Sequence, residues 1–274
     1  MKFDIELVGK IGSMALIDKQ HSDIDYNKFA RLGRQLRPGM IWVSSGATEI
    51  GRLDYIRRMG CELEGDIDDV KTDYAAQGQA ILMQTYRNFV SEKYALRQVL
   101  VEHHHFNDEV KREHIKQMLL RCPTQNTIPI VNYNDAVSYE ENRKMEIREL
   151  LKNKGHAVEL VDNDETASQI ACLVKSRLLI ILTGLEGIYK DVNDPSTLIK
   201  EISGATVDEV IQNIEYTKTL CKGASRKGAN GAFAKLEYIK PCVMQGTKVI
   251  IASAKYDLDE IVNGDVPSTV VAVR

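Results

Sequence analysis

The 274-residue chain predicts an α/β fold built on a mostly parallel sheet covered by helices on both faces. Two observations carry that expectation. Short apolar runs rich in β-branched residues recur along the whole length, and several are continuous, as strands buried on both faces require. Helical patterns lie between them, and regular alternation of strand and helix is the signature of parallel strands joined by crossovers.

Taken in order, the first strand is expected at 4–9 (DIELVG), followed by a helical pattern at 25–36 (DYNKFARLGRQL) and a strand at 40–44 (MIWVS). The long pattern DYAAQGQAILMQTYRNFVSEKY predicts a helix over 73–94, with MQTYRNF (83–89) supplying core aromatics. Strands follow at 98–102 (QVLVE) and 127–132 (TIPIVN). The stretch ENRKMEIRELLKNKG places Met145, Ile147, Leu150 and Leu151 among charges, with lysines near its end and Gly155 as a stop, so a short helix is expected. A helix over 164–176 opens at Asp164 and sets Ala167, Ile170, Ala171 and Val174 on one stripe. After the strand at 178–183 (LLIILT), Thr206 with Glu209 three residues on is a capping-box start for a helix at 206–214. The glycine-spaced GASRKGANGAFAKLEYIK (223–240) leads into a helix carrying Lys235, and strands at 247–252 and 268–273 close the pattern. No repeat, low-complexity tract or linker interrupts it, so residues 1–274 are expected to form one domain with two lobes.

Composition narrows the class. Hydrophobic content of 43% and charged content of 27% are globular values, and a net charge of −3 argues against a nucleic-acid coat. No apolar run approaches the roughly 18 residues that span a bilayer, and the N-terminus lacks a signal-peptide layout. Five cysteines, without C-x-x-C spacing, fit reduced thiols. These features predict a cytoplasmic protein with a small-molecule substrate and neither membrane nor nucleic-acid partners; a homo-oligomer is expected.

In a parallel sheet, ligands bind beyond the carboxyl ends of the strands. The residues just after each apolar run are therefore informative: Gly9-Lys10-Ile11-Gly12-Ser13, then Ser44-Ser45-Gly46-Ala47, Asn132-Tyr133-Asn134-Asp135 and Thr183-Gly184. Glycine, lysine and serine beside the first strand suggest a phosphate site, although the P-loop pattern G-x-x-x-x-G-K-[ST] is absent. VSSGA (43–47) suits an anion at a helix N-terminus, or an ordinary serine cap. VDNDETA (161–167) places Asp162, Asn163 and Asp164 ahead of a helix; with Asp164 as the cap, Asp162 and Asn163 are left to face a ligand. The run His103-His104-His105 is read as a solvated strand end, because adjacent side chains on a strand diverge and no metal-ligand spacing accompanies them.

Assembled, these residues resemble the amino acid kinase family, and within it the glutamate 5-kinases, over nearly the full length. The resemblance rests on Lys10-Ile11-Gly12-Ser13 and Val43 to Gly51. It continues through Ala76, Gly78, Gln79, Leu82, Met83, Gln84 and Tyr86, then Pro129 to Val137, Asp162 to Asp164, Leu182 to Tyr189 and Gly228 to Leu236. It implies a three-layer αβα sandwich, with the acceptor over residues 1–165 and ATP over 166–274. It also implies ATP-dependent phosphoryl transfer, with Mg²⁺ held chiefly by the phosphates, to the side-chain carboxylate of L-glutamate, as in proline biosynthesis. In that scheme Lys10 and Lys235 flank the transferring phosphoryl group and Asp162 orients them. Ser45, Gly46, Ala47, Asn134, Asp135 and Asn163 fall at the acceptor. Gly12, Ser13, Thr183, Gly184, Tyr189, Gly228, Ala229, Asn230, Gly231 and Lys235 fall at the nucleotide. Other acceptors of the superfamily, a nucleoside monophosphate or an organic phosphate, are the same-class alternative, and a non-catalytic sensor or storage protein is the other.

Three departures from the family pattern stand out. Gly184 occupies a position where an acidic residue is usual, and Ala229-Asn230 replaces a Thr-Gly pair. The segment between Asp135 and Asp162 is much longer than in glutamate 5-kinases, and its position predicts a lid or an oligomer arm that tunes acceptor choice, the alternative being a bland surface insertion. The RNA-binding-type domain that some members carry is not expected within these residues.

Overall fold

The structure is a computed structural model that describes residues 3–138, 140–160, 162–221 and 231–274. The first half runs β1 (Ile5–Ile11), a small hairpin of β2 (Ile17–Asp18) and β3 (Asp23–Ile24), α1 (Tyr26–Gln35), β4 (Met40–Ser44), α2 (Ala47–Met59) and α3 (Ile67–Phe89). It continues with β5 (Ala95–Val101), α4 (His103–Asn107), α5 (Glu109–Arg121), β6 (Thr127–Tyr133) and α6 (Glu140–Lys154). The second half comprises α7 (Asn163–Leu173), β7 (Ser176–Thr183), β8 (Ile188–Tyr189), β9 (Leu198–Ile199), β10 (Glu201–Gly204), α8 (Val207–Leu220), α9 (Ala232–Met244), β11 (Lys248–Ser253), α10 (Leu258–Asn263) and β12 (Ser268–Val273).

The main sheet has eight strands in the order β10-β12-β11-β7-β1-β4-β6-β5. All neighbours pair in parallel except β11 with β12, so the sheet is mostly parallel, as expected. From β1 the chain builds outward through β4 to β6 and β5, then crosses back to lay β7 on the other side of β1. The β1/β7 boundary is the switch point at which such sheets open a crevice.

Successive strand residues point to opposite faces and fill two separate cores. Val8, Val43, Val131, Ile181 and Ile251 pack beneath α5, α7, α8 and α9 through Leu119, Ile170, Ile214 and Leu236. Leu7, Trp42, Ile130, Ile180 and Ile250 pack beneath α1, α2, α3 and α10 through Phe29, Ile50, Leu82 and Ile261. Each buried aliphatic side chain contributes roughly 1.5–3 kcal/mol by leaving water, which is why the strands read as unbroken apolar runs. Tyr86 shows the aromatic prediction at work: it is fully buried, and its hydroxyl accepts from Trp42 Nε1 at 3.1 Å and meets Ser44 Oγ at 2.8 Å.

Some expectations shift. The helix expected at 73–94 starts earlier, because Asp66 caps it by accepting the Asp68 N–H, and it ends at Phe89 as Val90 turns extended. The histidine run is helical: α4 closes a capping box in which the His105 ring accepts the Glu102 N–H, and His103 is buried. The predicted short helix in the long segment exists as α6 and docks on its own chain. Ile147 is buried, His103 Nε2 meets Glu146 Oε2 at 2.7 Å, and Asn107 exchanges two 2.8 Å hydrogen bonds with Val158.

Candidate active site

A cavity of about 740 Å³ opens at the carboxyl ends of β1, β4, β6 and β7, within the 300–1,000 Å³ typical of small-molecule sites. Three helix N-termini belong to the residues around it. α2 begins after Gly46, which sits at φ 111°, a conformation that favours glycine, and offers no side-chain cap. α9 follows Gly231, also without a side-chain cap. α7 follows Asp162, whose Oδ1 accepts the N–H groups of Asp164 at 2.8 Å and Glu165 at 3.0 Å. Helix N-termini bring a positive field to such a crevice.

At its centre lies a buried charge trio. Lys10 Nζ stands 2.5 Å from Asp164 Oδ1 and Lys235 Nζ stands 2.8 Å from Asp164 Oδ2, with the carboxylate fully buried. This corrects the sequence reading in a specific way. Asp162 was expected to orient the lysines and Asp164 to cap the helix; the structure exchanges these roles. The reason is helical geometry, since Asp164 falls one turn before Ala167 on the stripe that faces the sheet, while Asp162 is the extended residue that precedes the helix. Burial pushes the Asp164 carboxyl up, but the ammonium groups of Lys10 and Lys235 outweigh it and hold it below the usual carboxylate range.

Around the trio, Ser45, Asp135, Asp162 and Asn163 line the cavity. Asn163 Nδ2 donates to Ser45 Oγ at 3.1 Å and to Asn132 Oδ1 at 2.9 Å, and Asn163 Oδ1 accepts the Tyr133 N–H at 3.2 Å. Burial raises Asp135 to about 6, with Arg143 pulling the other way. Asp162 is likewise raised to about 6, by burial and by the charge of Asp164. Its Oδ2 is buried with no hydrogen-bond partner among the described residues. Two carboxylates whose charge burial disfavours, in one cavity wall, suit a cationic group on a ligand that would restore the ionised form.

On the other side, Gly12, Ser13, Thr183 and Gly184 line the same cavity. Thr183 Oγ1 closes a local turn with Leu185, donating to its carbonyl and accepting its N–H, both at 2.9 Å. A Cβ added at Gly184 would meet no atom within 4 Å, so that wall is open. Five expected residues do not reach the cavity lining: Gly46, Ala47, Asn134, Tyr189 and Gly231. Asn134 instead donates through Nδ2 to Glu102 Oε1 at 2.9 Å. Gly228, Ala229 and Asn230 lie outside the described residues. The sequence reading missed Asp164, and also Lys71 and Arg143, which line the cavity from α3 and α6.

Among the described residues, no group of three or more His, Cys, Asp or Glu side chains is arranged to hold a metal ion, and none of the helices among them is long and apolar enough to cross a membrane.

Comparison with known proteins identifies the family and the fold. The amino acid kinase family profile matches residues 6–253. A glutamate 5-kinase from Clostridium perfringens (strain 13 / Type A) is 27% identical over 279 residues, covering 97% of this chain and 94% of its own. One from Thermoanaerobacter sp. (strain X514) is 30% identical over 200 residues, covering 71% of this chain and 48% of its own; the chain thus spans about half the length of some curated relatives it matches. Among solved structures, carbamate kinase from Giardia lamblia bound to AMP-PNP superposes with TM-score 0.58 at 14% identity, covering 98% of both chains. UMP kinase from Ureaplasma parvum gives 0.54 at 12%, covering 99% of this chain and 100% of its own. At these identities the superpositions establish the three-layer fold.

Proposed function

This chain belongs to the amino acid kinase family, and from that premise we propose that it transfers the γ-phosphoryl group of ATP to the side-chain carboxylate of L-glutamate. The observation that carries the reading is the Lys10–Asp164–Lys235 trio at the switch-point crevice. A carboxylate acceptor, with a side-chain pKa near 4.3, is ionised at neutral pH. It needs no general base, so catalysis reduces to alignment and charge neutralisation.

In this scheme a γ-carboxylate oxygen attacks the γ-phosphorus, the bond to the β-γ bridging oxygen breaks, and ADP leaves with that oxygen. Asp164 holds the two ammonium groups at a fixed separation. Each can then stabilise negative charge as it shifts from the equatorial oxygens to the leaving group. Mg²⁺ on the phosphates supplies further charge neutralisation when bound. Ser45 Oγ, which accepts from Asn163, keeps its own O–H as a donor for the acceptor carboxylate. Asp135 and Asp162 suit the acceptor's ammonium group. The Clostridium perfringens relative, matched over nearly all of both chains, supports glutamate as that acceptor.

The test is coupled ADP release with hydroxylamine trapping of the acyl phosphate. Glutamate-dependent hydroxamate is the expected result; robust ADP release with a nucleoside monophosphate and none with glutamate would overturn the assignment.

A further inference from the structure

The long segment between Asp135 and Asp162 does more than cover the surface. α6 is fixed at several points: Ile147 is buried, Glu146 pairs with His103, and Lys154 Nζ donates to Asn107 O at 3.1 Å. Arg143, on its first turns, donates from Nη1 to Leu160 O at 3.1 Å, just before the Asp162 cap. That anchoring leaves the half-buried guanidinium on the cavity wall with Tyr133, Asp135 and Ser138. Its charge reaches Asp135, whose ionisation it favours against burial.

A carboxylate and a guanidinium lining one cavity are complementary to a zwitterion, the ammonium facing one and the carboxylate the other. Guanidinium is also the side chain whose planar donors match a carboxylate in two-pronged fashion. We propose that α6 is the acceptor-reading element of this chain. Arg143 binds the α-carboxylate, remote from the reacting one, while Asp135 takes the α-ammonium, so the site selects α-amino acids that carry an acidic side chain. This deepens the reading of L-glutamate as acceptor and rests on it.

The experiment compares three acceptors, L-glutamate, 4-aminobutyrate (no α-carboxylate) and glutarate (no ammonium), on the wild-type chain, Arg143→Met and Arg143→Lys. In Arg143→Met the Michaelis constant for glutamate should rise about 10- to 100-fold, the usual weight of one charge-assisted hydrogen-bonded contact. The constant for ATP and the turnover at saturation should stay within about twofold, and the preference for glutamate over 4-aminobutyrate should collapse. Arg143→Lys, which keeps the charge but not the fork, should recover part of that preference. The glutamate-to-glutarate preference should survive in both variants, since it belongs to Asp135.

An unchanged glutamate constant, or an unchanged preference over 4-aminobutyrate, overturns the role of Arg143. Calorimetric titration of glutamate in the presence of AMP-PNP separates the two readings. Tight binding that depends on Arg143 without turnover would sink the kinase assignment and keep the recognition role, and no binding at all would sink both.

Discussion

At the scale of single residues, the site turns on which member of Asp162-Asn163-Asp164 points inward. Asp164 is fully buried and its charge is compensated by Lys10 and Lys235. Removing one partner of a buried ionic cluster strands the others, at a cost of about 3–5 kcal/mol. Asp164→Asn should therefore lower both stability and turnover, whereas Asp162→Asn should keep a competent cap, Asn and Asp being near equivalent there. Urea melts and initial rates on the two variants check this; equal losses would erase the distinction. Lys10→Ala and Lys235→Ala belong to the same test, each expected to lower turnover about 10²–10³-fold, the cost of removing one oxyanion donor.

Asp135 gives a second consequence at this scale. A carboxyl raised from 3.8 to about 6 in the folded chain keeps its proton over an interval in which the unfolded chain has lost it. Its contribution to stability therefore falls as pH rises between those values. Ammonium binding favours the ionised form, so acceptor affinity should move the other way. The Michaelis constant for glutamate should fall about tenfold between pH 5 and 7, following the ionised fraction of a group titrating near 6, and Asp135→Asn should make that fall shallower, leaving the part that Asp162 carries. A flat wild-type profile would remove Asp135 from the ammonium site.

Elements place these residues through contacts that the local pattern only partly announces. α2 and α3 cross where Gly51 and Gly78 face each other. A Cβ at Gly51 would overlap the carbonyl oxygen of Tyr74, and one at Gly78 the carbonyl oxygen of Ala47. Backbone atoms on both sides cannot yield as a side-chain tip can. Gly51→Ala should cost at least about 2 kcal/mol, the overpacking penalty of a tight core, read as a lowered urea midpoint with an unchanged slope. Because Ala47 begins the helix that follows Ser45, the glutamate constant should rise with it. A midpoint equal to wild type would mean the helices separate at little cost.

The strands were legible because burial on both faces writes itself as unbroken β-branched runs, as in Leu178 to Thr183. The short hairpins β2–β3 and β8–β9 were not, since two-residue strands carry no periodicity. α6 was legible from its composition and stop, but Arg143 was not: a helix face becomes part of a site only through its docking partners, here His103 and Leu160. Asp164 could have been found. Its stripe of Ala167, Ile170 and Ala171 extends back one turn to it, which argues for an inward side chain where a helix cap was expected.

For the whole molecule, the sheet order divides labour around β1. Ser45 follows β4 on one side and Thr183 ends β7 on the other, with the charge trio between them. If the acceptor lies over the first side and ATP over the second, substitutions on the two sides should act on different constants. Ser45→Ala removes a hydroxyl beside Asn163 and should raise the glutamate constant while leaving that for ATP within about twofold, as loss of one hydrogen bond to a charged group predicts. Thr183→Ala loosens the turn to Leu185 and should do the reverse. The double variant should show both losses multiplied and no further loss, because Ser45 and Thr183 share no partner among the described residues and independent sites add in free energy. Steady-state kinetics with each substrate varied at saturation of the other reads all four combinations. If Thr183→Ala shifts the glutamate constant, or if the double variant departs from the product of the singles by more than about fivefold, then the crevice works as one undivided pocket and the two-lobed division of substrates fails.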